Sequence, residues 1–309
     1  MPGDPSFEWP SVCVVIPTRN RPELLRRAVD GVLTQDYPGV LQVIVVLDQT
    51  EAASALGSLE PSDRVHIMEN QRVKGLSGAR NTGILASTAD LVAFCDDDDT
   101  WLPGKLRRQV KALLATPEAQ FATCAIEVEY GDHRTVRLAE RNVVTPADLI
   151  PSRMSMLHSS TFLARRSGLI EAIGLIDEHV PGSHNEDWDL LLRAARQHPI
   201  VHLDEPLVRI QWSAASFFSR DWERKISSLE WMLDRHPEIG QSRVGAGRVY
   251  GQIAFAKAAS GKRRDAVRWT GRALRRSWRE PRAYFALAVA AGASGEFVLK
   301  ELHKRGRGI

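Results

Sequence analysis

One stretch of the sequence decides the fold: Leu91-Val92-Ala93-Phe94-Cys95-Asp96-Asp97-Asp98-Asp99. Its first five residues are apolar and of strand length, which indicates a strand that is buried on both faces, as in a parallel sheet covered by helices. In such sheets, ligands bind beyond the carboxyl ends of the strands, where the four aspartates begin. Adjacent carboxylates repel one another unless a cation compensates them. The stretch therefore predicts a Mg²⁺ or Mn²⁺ site for a metal–diphosphate complex, with a solvated acidic turn as the alternative.

The sequence before this stretch alternates strand-like and helix-like segments. Strands are predicted at residues 11–16, Leu41–Leu47 and 64–68, and helices at Pro22–Leu33 and 77–87. This alternation predicts the α/β class, with a Rossmann-like, mostly parallel sheet flanked by helices.

The sequence after this stretch divides into a mixed part and a helical part. A helix is predicted at Lys105–Leu114, strands at Phe121–Tyr130, 156–164 and 200–212, and a helix at 188–196. From Trp222 onward only helices are predicted. We therefore expect an α/β domain at 1–220, with two halves at about 10–103 and about 104–220, and a basic helical region at 221–309.

Three polar loops precede the acidic run. Thr18 and Asn20 follow the first strand and can hold a base, ribose or phosphate, although a turn with Asn20 as a cap explains them equally. Asp48 ends the second strand and can accept from a nucleotide or cap a helix that starts near residue 51. The third loop, residues 74–81, has two glycines and two cations, including Arg80, for a diphosphate, or is a charged turn.

A fifth polar cluster, residues 182–189, contains three acids together with His184 and Trp188. Acids in the first turn of a helix suit the helix dipole, which is the structural explanation. A carboxylate at this position can also act as a general base for an acceptor hydroxyl.

Composition restricts the partners and the location. The net charge of +3 gives no reason to expect a nucleic acid partner. Cys13, Cys95 and Cys124 are predicted to be reduced core residues, and no secretory signal or membrane-spanning segment is seen. We therefore expect a cytoplasmic protein.

From residue 261 onward, thirteen Lys and Arg stand against four acidic residues. These helices are predicted either to cap the α/β domain or to contact the inner face of a membrane, or a lipid-linked acceptor, through Arg275, Arg276 and Arg279.

Taken together, five motifs resemble the family two glycosyltransferases with the GT-A fold, over residues 10–216. They read Val14-Val15-Ile16-Pro17-Thr18-Arg19-Asn20-Arg21, Val45-Val46-Leu47-Asp48-Gln49-Thr50, Ala79-Arg80-Asn81-Thr82-Gly83-Ile84, Phe94-Cys95-Asp96-Asp97-Asp98-Asp99-Thr100-Trp101-Leu102-Pro103 and Glu186-Asp187-Trp188-Asp189-Leu190. The resemblance implies an inverting single displacement from a nucleotide-diphosphate sugar, most commonly a UDP sugar.

The resemblance also assigns roles to residues. Nucleotide contacts fall on Thr18, Asn20, Asp48, Arg80 and Asp97, and the metal pair on Asp96 and Asp98, with Asp97 and Asp98 as the alternative register. The catalytic base is Asp187, and Glu186, Trp188, His158 and His184 are expected around the acceptor, which is a glycan, a lipid-linked molecule or a small molecule.

Two positions depart from the family pattern. Leu47 replaces the first of two acids that often end the second strand, and no His follows the last core strand. Two other functions stay open at this point, a sugar-phosphate nucleotidyltransferase and a catalytically silent carbohydrate-binding relative. The first would be expected to have a Gly-rich loop after the first strand, and residues 17–21 contain no Gly.

Overall fold

We examined a computed structural model that describes residues 8–50, 56–57, 59–212 and 221–304. The predicted boundary near residue 220, the helix start near residue 51 and residues 213–216 of the family resemblance lie outside these ranges.

The core of the described chain is one ten-stranded sheet with the order β3-β2-β1-β4-β9-β6-β10-β5; in addition, β7 pairs with β6 and β8 pairs with β10. The strands are β1 Val12–Thr18, β2 Leu41–Leu47, β3 Val65–Glu69, β4 Leu91–Phe94, β5 Thr100–Trp101, β6 Phe121–Tyr130, β7 His133–Arg137, β8 Val143–Val144, β9 Leu163–Arg165 and β10 Ile200–Gln211. The first four pair in parallel, as do β6 and β10, whereas β9 joins the two groups antiparallel to both β4 and β6. The predicted α/β class with a mostly parallel sheet is confirmed.

Helices cover the sheet and then form the C-terminal region. They are α1 Pro22–Leu33, α2 Leu76–Ala86, α3 Lys105–Leu114, α4 Pro146–Leu149, α5 Glu186–Gln197, α6 Trp222–Arg235, α7 Pro237–Gln241, α8 Arg243–Ala259, α9 Arg263–Arg276, α10 Pro281–Ala290 and α11 Gly295–Lys304. All seven residues of β1 are buried because helices pack on both faces of the sheet. The predicted continuous apolar strands therefore match their position in the fold.

One predicted strand is wrong in most of its length. Residues 156–164 were expected to form a strand, but only Leu163–Arg165 does, and a single 3₁₀ turn, Ser159–Thr161, precedes it. The hydroxyl groups of Ser159 and Ser160 hydrogen-bond to aspartates of the acidic run. Successive residues of a strand point to opposite faces, so a strand could not direct both hydroxyls to the acidic run. The 3₁₀ turn does so.

The C-terminal helices have a small core of their own, consisting of Ala254, Phe255, Ala258, Ala266, Ala286 and Val289. Trp222 and Trp269 pack against both this core and the main one, so the helical region adjoins the catalytic region. Among the described helices, none combines the length and the apolarity needed to cross a membrane.

Candidate functional site

The polar loops meet at the carboxyl ends of β1, β2 and β4. Thr18 is paired with Leu47 in the parallel register of β1 and β2, so Thr18 lies beside Asp48, and β4 brings the acidic run to the other side of β1. This is the edge at which open α/β sheets bind ligands. The sequence therefore places its nucleotide candidates correctly with respect to the sheet.

The second and third aspartates of the acidic run face the first loop. Thr18 Oγ1 donates a hydrogen bond of 2.7 Å to Asp97, and Arg21 Nη1 lies 3.2 Å from Asp97 and 2.9 Å from Asp98. Asp98 is the most exposed of the four aspartates, with 38% of its side chain accessible. Asp98 can therefore reach a bound ligand with little rearrangement.

The first and fourth aspartates face the turn at Ser159–Thr161. Asp96 accepts from Ser159 Oγ at 3.0 Å, Asp99 accepts from Ser160 Oγ at 2.5 Å, and His158 Nδ1 lies 3.4 Å from Asp99. Oxygen and nitrogen atoms of Asp96, Asp99 and His158 all lie within 4.8 Å of one another. The turn thus creates a cluster of metal-ligating atoms that shares Asp96 with the predicted pair.

Three of the four aspartates, Asp97, Asp98 and Asp99, have raised pKa values, whereas Arg80 lowers the pKa of Asp96 against the effect of its burial. Burial, opposed by the Thr18 hydrogen bond and reinforced by Asp98, raises the pKa of Asp97 to about 6. Burial and the neighbouring carboxylates Asp98 and Asp96 raise the pKa of Asp99 well above its usual value. Raised pKa values of this kind show that a nearby positive charge would be favourable.

The donor set fits a hard divalent cation. Carboxylate oxygens suit Mg²⁺ and Mn²⁺, and a neutral imidazole is a ligand for transition metals such as Mn²⁺. Burial lowers the pKa of His158, which keeps its ring neutral near pH 7. Asp96, Asp99 and His158 can therefore hold such an ion, whereas Asp98 pairs with Arg21, and the predicted metal pair of Asp96 and Asp98 stays a prediction.

Arg80 links the acidic run to the second acidic cluster. Its Nη2 lies 2.5 Å from Asp96 Oδ1 and its Nη1 lies 2.8 Å from Glu186 Oε1, and Nη2 also donates to Ser159. The Arg80 side chain is buried beside the Phe94 ring. Its Nε has no hydrogen-bond partner among the described residues. The guanidinium therefore holds α2, the acidic run and the start of α5 together.

The predicted base, Asp187, lies in the first turn of α5. One of its oxygens accepts from the backbone N–H of Trp188 at 2.7 Å, and the other pairs with Arg153. Its neighbour Glu186 has its pKa raised to about 7, first by burial and then by the Asp187 charge. Two acidic side chains in different electrostatic environments thus lie side by side.

Two of the predicted acceptor residues have structural roles in this arrangement. The Trp188 ring is buried in the core, and its Nε1 donates to the carbonyl of Leu149 at 2.9 Å. The ring therefore belongs to the core, and a role for Trp188 in the acceptor pocket stays a prediction. The His184 carbonyl accepts from Ser228 Oγ, and burial followed by nearby cations lowers the pKa of His184 to about 4.

The remaining predicted residues organise the loops. Asp48 Oδ1 accepts from Asn70 Nδ2 at 2.9 Å and from the backbone N–H of Gly75 at 3.0 Å, so it joins two of the loops. Asn20 has a left-handed φ of 54° and accepts from Thr50 Oγ1. These contacts place both side chains at the predicted edge of the sheet.

Several site residues escaped the sequence analysis, namely Arg21, Asp99, Arg153, Ser159 and Ser160. Arg21 and Asp99 lie inside two of the five motifs, but the motifs assigned no role to either residue. Ser159 and Ser160 follow His158 as a polar run inside an apolar segment, which was a usable signal. Arg153 lies 34 residues before its partner in irregular sequence, and nothing local indicated it.

Comparisons with known proteins agree with this geometry. Residues 13–172 match the model of glycosyl transferase family 2. The chain is 34% identical over 131 residues to the succinoglycan biosynthesis protein ExoO of Rhizobium meliloti, which is 42% of this chain and 37% of that protein. It is 31% identical over 104 residues to the UDP-Glc:alpha-D-GlcNAc-diphosphoundecaprenol beta-1,3-glucosyltransferase WfgD of Escherichia coli, which is 33% of this chain and 41% of that enzyme. The matches therefore span less than half of these two relatives.

Two solved structures share the fold. One is S. aureus TarS in complex with UDP, with a TM-score of 0.56, 16% identity, and coverage of 96% of this chain and 92% of that one. The other is the mannosyltransferase PcManGT from Pyrobaculum calidifontis in complex with GDP-Man and Mn²⁺, with a TM-score of 0.54, 22% identity, and coverage of 98% and 81%. The sheet order, the acidic run at the end of β4 and the family match lead to one conclusion: this chain belongs to glycosyl transferase family 2 and has the GT-A fold.

Proposed function

We propose that this chain transfers a sugar from a nucleoside-diphosphate donor to an acceptor hydroxyl, with inversion at the anomeric carbon. The observation that carries this proposal is the Arg80 guanidinium, which contacts Asp96 on one side and Glu186 on the other. A proposed metal ligand and the residue next to the proposed base are thus connected through one planar group. The bond that breaks and the hydroxyl that attacks can therefore share one cleft.

The donor occupies the edge formed by β1, β2 and β4. Thr18, Asn20, Asp48, Arg80 and Asp97 would contact the nucleotide, as the family motifs imply. UDP is the proposed donor nucleotide, supported by the names of two similar proteins, since WfgD is named as using UDP-Glc and TarS has been solved with UDP.

A divalent cation, Mn²⁺ or Mg²⁺, would be held by Asp96 and Asp98, with Asp99 and His158 as neighbouring ligands. Such an ion supplies neutralisation of the charge that develops on the departing diphosphate. The raised pKa of Asp98, caused first by burial and then by the Asp96 charge, supports this assignment, because such a carboxylate gains from a nearby positive charge.

Asp187 takes the proton of the acceptor hydroxyl as the hydroxyl oxygen bonds to the anomeric carbon. The bond from that carbon to the diphosphate oxygen breaks in the same step, and the nucleoside diphosphate leaves. Arg153 and the Trp188 N–H hold the carboxylate in a fixed orientation, which reduces the entropy lost at the transition state. A single displacement of this kind inverts the anomeric configuration.

We further propose that the C-terminal helices contact an anionic membrane surface. Arg264, Arg268, Arg272 and Arg275 are exposed and recur at helical spacing on α9, so they share one face, which we call the α9 arginine face. The exposed Arg276 and Arg279 extend it, and 60% of Trp278 is accessible nearby. Basic residues with an interfacial aromatic are the combination that binds anionic lipid headgroups.

A thermal-shift panel tests the donor site. UDP, GDP and dTDP are each added to the full chain with and without Mn²⁺, and UDP with Mn²⁺ should raise the Tm most, because binding to the folded state stabilises it. Asp98→Asn should lose the metal-dependent part of the shift, whereas Asp132→Asn, on the exposed turn between β6 and β7, should keep it. Stabilisation by no nucleotide under any condition would remove the proposal.

A further inference from the structure

We propose that the acceptor carries a phosphate or diphosphate group, and that Arg153, Lys225 and Arg282 bind this group beside Asp187. This inference rests on the proposed function, since it takes Asp187 as the residue that faces the acceptor. It goes further by assigning a ligand class and a binding site to residues outside the family motifs. We call these three residues the cationic cluster.

Arg153 connects the cationic cluster to the base. Its guanidinium pairs with Asp187, and 43% of its side chain is accessible to solvent. The Nε of Arg153 is buried and has no hydrogen-bond partner within the described ranges. Because a guanidinium carries five donors, Arg153 has capacity for an additional multidentate anion.

Lys225 lies on α6, which packs against the loop that precedes Asp187. Asn185 Nδ2 donates to Ser228 Oγ at 2.8 Å, and Ser228 in turn donates to the carbonyl of His184, so the first half of α6 packs on the loop that precedes Asp187. The stem of Arg224 covers Gly182 in the same loop, with a distance of 1.9 Å between Arg224 Cδ and a Cβ built on that glycine. The helix is therefore firmly seated against the acceptor side of the site.

The positive charges of Arg153 and Arg282 act on Lys225. Its pKa is lowered to about 8, first by burial and then by the positive charges of Arg153 and Arg282. Three cations that are close enough to disfavour one another are stabilised when an anion binds between them. In the acidic run, by contrast, it is a cation that would stabilise neighbouring carboxylates.

Arg282 completes the cationic cluster from the start of α10. Only 15% of its side chain is accessible, its Nη1 pairs with Glu280 at 2.8 Å, and its buried Nε has no partner in the part of the chain that the structure describes. Burial and the nearby Arg282 also lower the pKa of Arg248 to about 10. Two buried guanidinium nitrogens without acceptors, one on Arg153 and one on Arg282, indicate a missing acceptor-rich partner.

A phosphate fits this place better than a neutral sugar hydroxyl. It offers several charged oxygens, which are the preferred partners of guanidinium groups. The donor diphosphate belongs to the acidic run, where a cation has to bridge it, whereas the cationic cluster is reached from Asp187 through Arg153. The anion bound here therefore belongs to the molecule whose hydroxyl Asp187 deprotonates.

Calorimetric titration of the metal-free full chain with inorganic phosphate and with pyrophosphate tests this inference. Without metal, the acidic run repels both anions, so binding reports the cationic cluster. Lys225→Met and Arg282→Gln should each weaken binding about tenfold, since a hydrogen bond to a charged group is at stake. Arg264→Gln on the α9 arginine face is the matched control and should change binding by less than a factor of about two.

The outcomes separate this inference from the proposed function and from a folding defect. Lys225→Arg keeps the charge and should restore phosphate binding, and Tm values identify any variant that fails to fold. The UDP–Mn²⁺ thermal shift should persist in Lys225→Met; loss of that shift together with phosphate binding would place the anion in the donor site and overturn the inference. Phosphate binding that is unsaturable, or equal in wild type and in both variants, overturns it as well.

A final titration identifies the source of the phosphate. Farnesyl diphosphate that binds more tightly than pyrophosphate, with the same dependence on Lys225, indicates a lipid-linked diphosphate acceptor. Equal binding of the two indicates a phosphate carried within a soluble or polymeric acceptor. Both results support an anionic acceptor.

Discussion

At the scale of the residue, the site depends on how its carboxylates are held. Asp187 is fixed by two donors, the Trp188 N–H and the Arg153 guanidinium. Glu186, the next residue, pairs with Arg80 instead. Two adjacent acids in the first turn of α5 therefore have different partners.

The first prediction at this scale concerns Asp187→Asn. Loss of the general base should lower kcat by about 10²–10⁴ while the nucleotide Kd stays nearly unchanged, because Asn keeps the shape and can still accept from Trp188. The measurement is release of nucleoside diphosphate from the donor, with water or a screened acceptor as the nucleophile. Asp132→Asn is the control. Transfer at the wild-type rate in Asp187→Asn would exclude this residue from the mechanism and leave the fold assignment intact.

The second prediction concerns the pH dependence of stability. The pKa of Glu186 is raised from 4.5 to about 7, first by burial and then by Asp187, so the folded state binds the proton more tightly than the unfolded state does. Between about pH 4.5 and 7 the unfolded state holds fewer protons, and the free energy of unfolding should fall as pH rises, by about 3 kcal/mol from this group.

Urea unfolding of the metal-free chain at several pH values measures this slope. Glu186→Gln removes the titrating group and should have a shallower decline over the same interval. An equal slope in the wild type and in Glu186→Gln would show that Glu186 does not titrate there.

At the scale of the element, close packing of α2 on β1 positions the donor side of the site. A Cβ built on Gly83 in α2 would lie 2.4 Å from Val15 Cγ1 in β1. Gly83 thus allows the helix to approach the strand, and the same helix carries Arg80 to the acidic run. The position of the Arg80 guanidinium therefore depends on how closely α2 approaches β1.

The third prediction compares two glycines, both in helices. Gly83→Ala should destabilise the chain by about 1–3 kcal/mol through overpacking. Gly271→Ala in α9 should stabilise it by about 0.5–1 kcal/mol, because a Cβ there meets nothing within 4 Å and alanine favours the helix. Urea unfolding of both variants is the measurement. Equal effects of the two substitutions would contradict the packing argument.

At the scale of the whole molecule, the C-terminal helices serve two surfaces. The first half of α6 packs against the loop before Asp187, while α9 presents its arginine face to solvent. The helical region is thus in contact with the loop before Asp187 and also carries a cationic exterior.

The fourth prediction tests that exterior by vesicle co-sedimentation. The chain should bind vesicles of phosphatidylcholine and phosphatidylglycerol and should not bind phosphatidylcholine alone, with binding that weakens at high salt. Arg268→Gln/Arg272→Gln should weaken binding about 25-fold, at roughly 1 kcal/mol per residue near the surface. The matched pair Arg26→Gln/Arg27→Gln, exposed on α1, should have little effect. Equal losses of vesicle binding in the two double variants would show that net charge, and not the α9 arginine face, determines binding.

Sequence pattern alone predicted the α/β class and most of the strands, because continuous apolar runs such as 91–94 have one stable environment, a strand covered on both sides. It also placed Thr18, Asp48 and Asp96 correctly, since parallel strands end at a common edge. The five motifs were sufficient to identify the family.

Only the tertiary structure decided which distant groups meet. The 3₁₀ turn at Ser159–Thr161 directs two hydroxyls to the acidic run, and local apolar pattern alone had indicated a strand. Arg153 reaches Asp187 across 34 residues, and Lys225 and Arg282 come from helices that the motifs do not include. Periodicity reports the environment of each segment, whereas ion pairs between loops depend on how the packed elements are arranged in space, which no local pattern encodes.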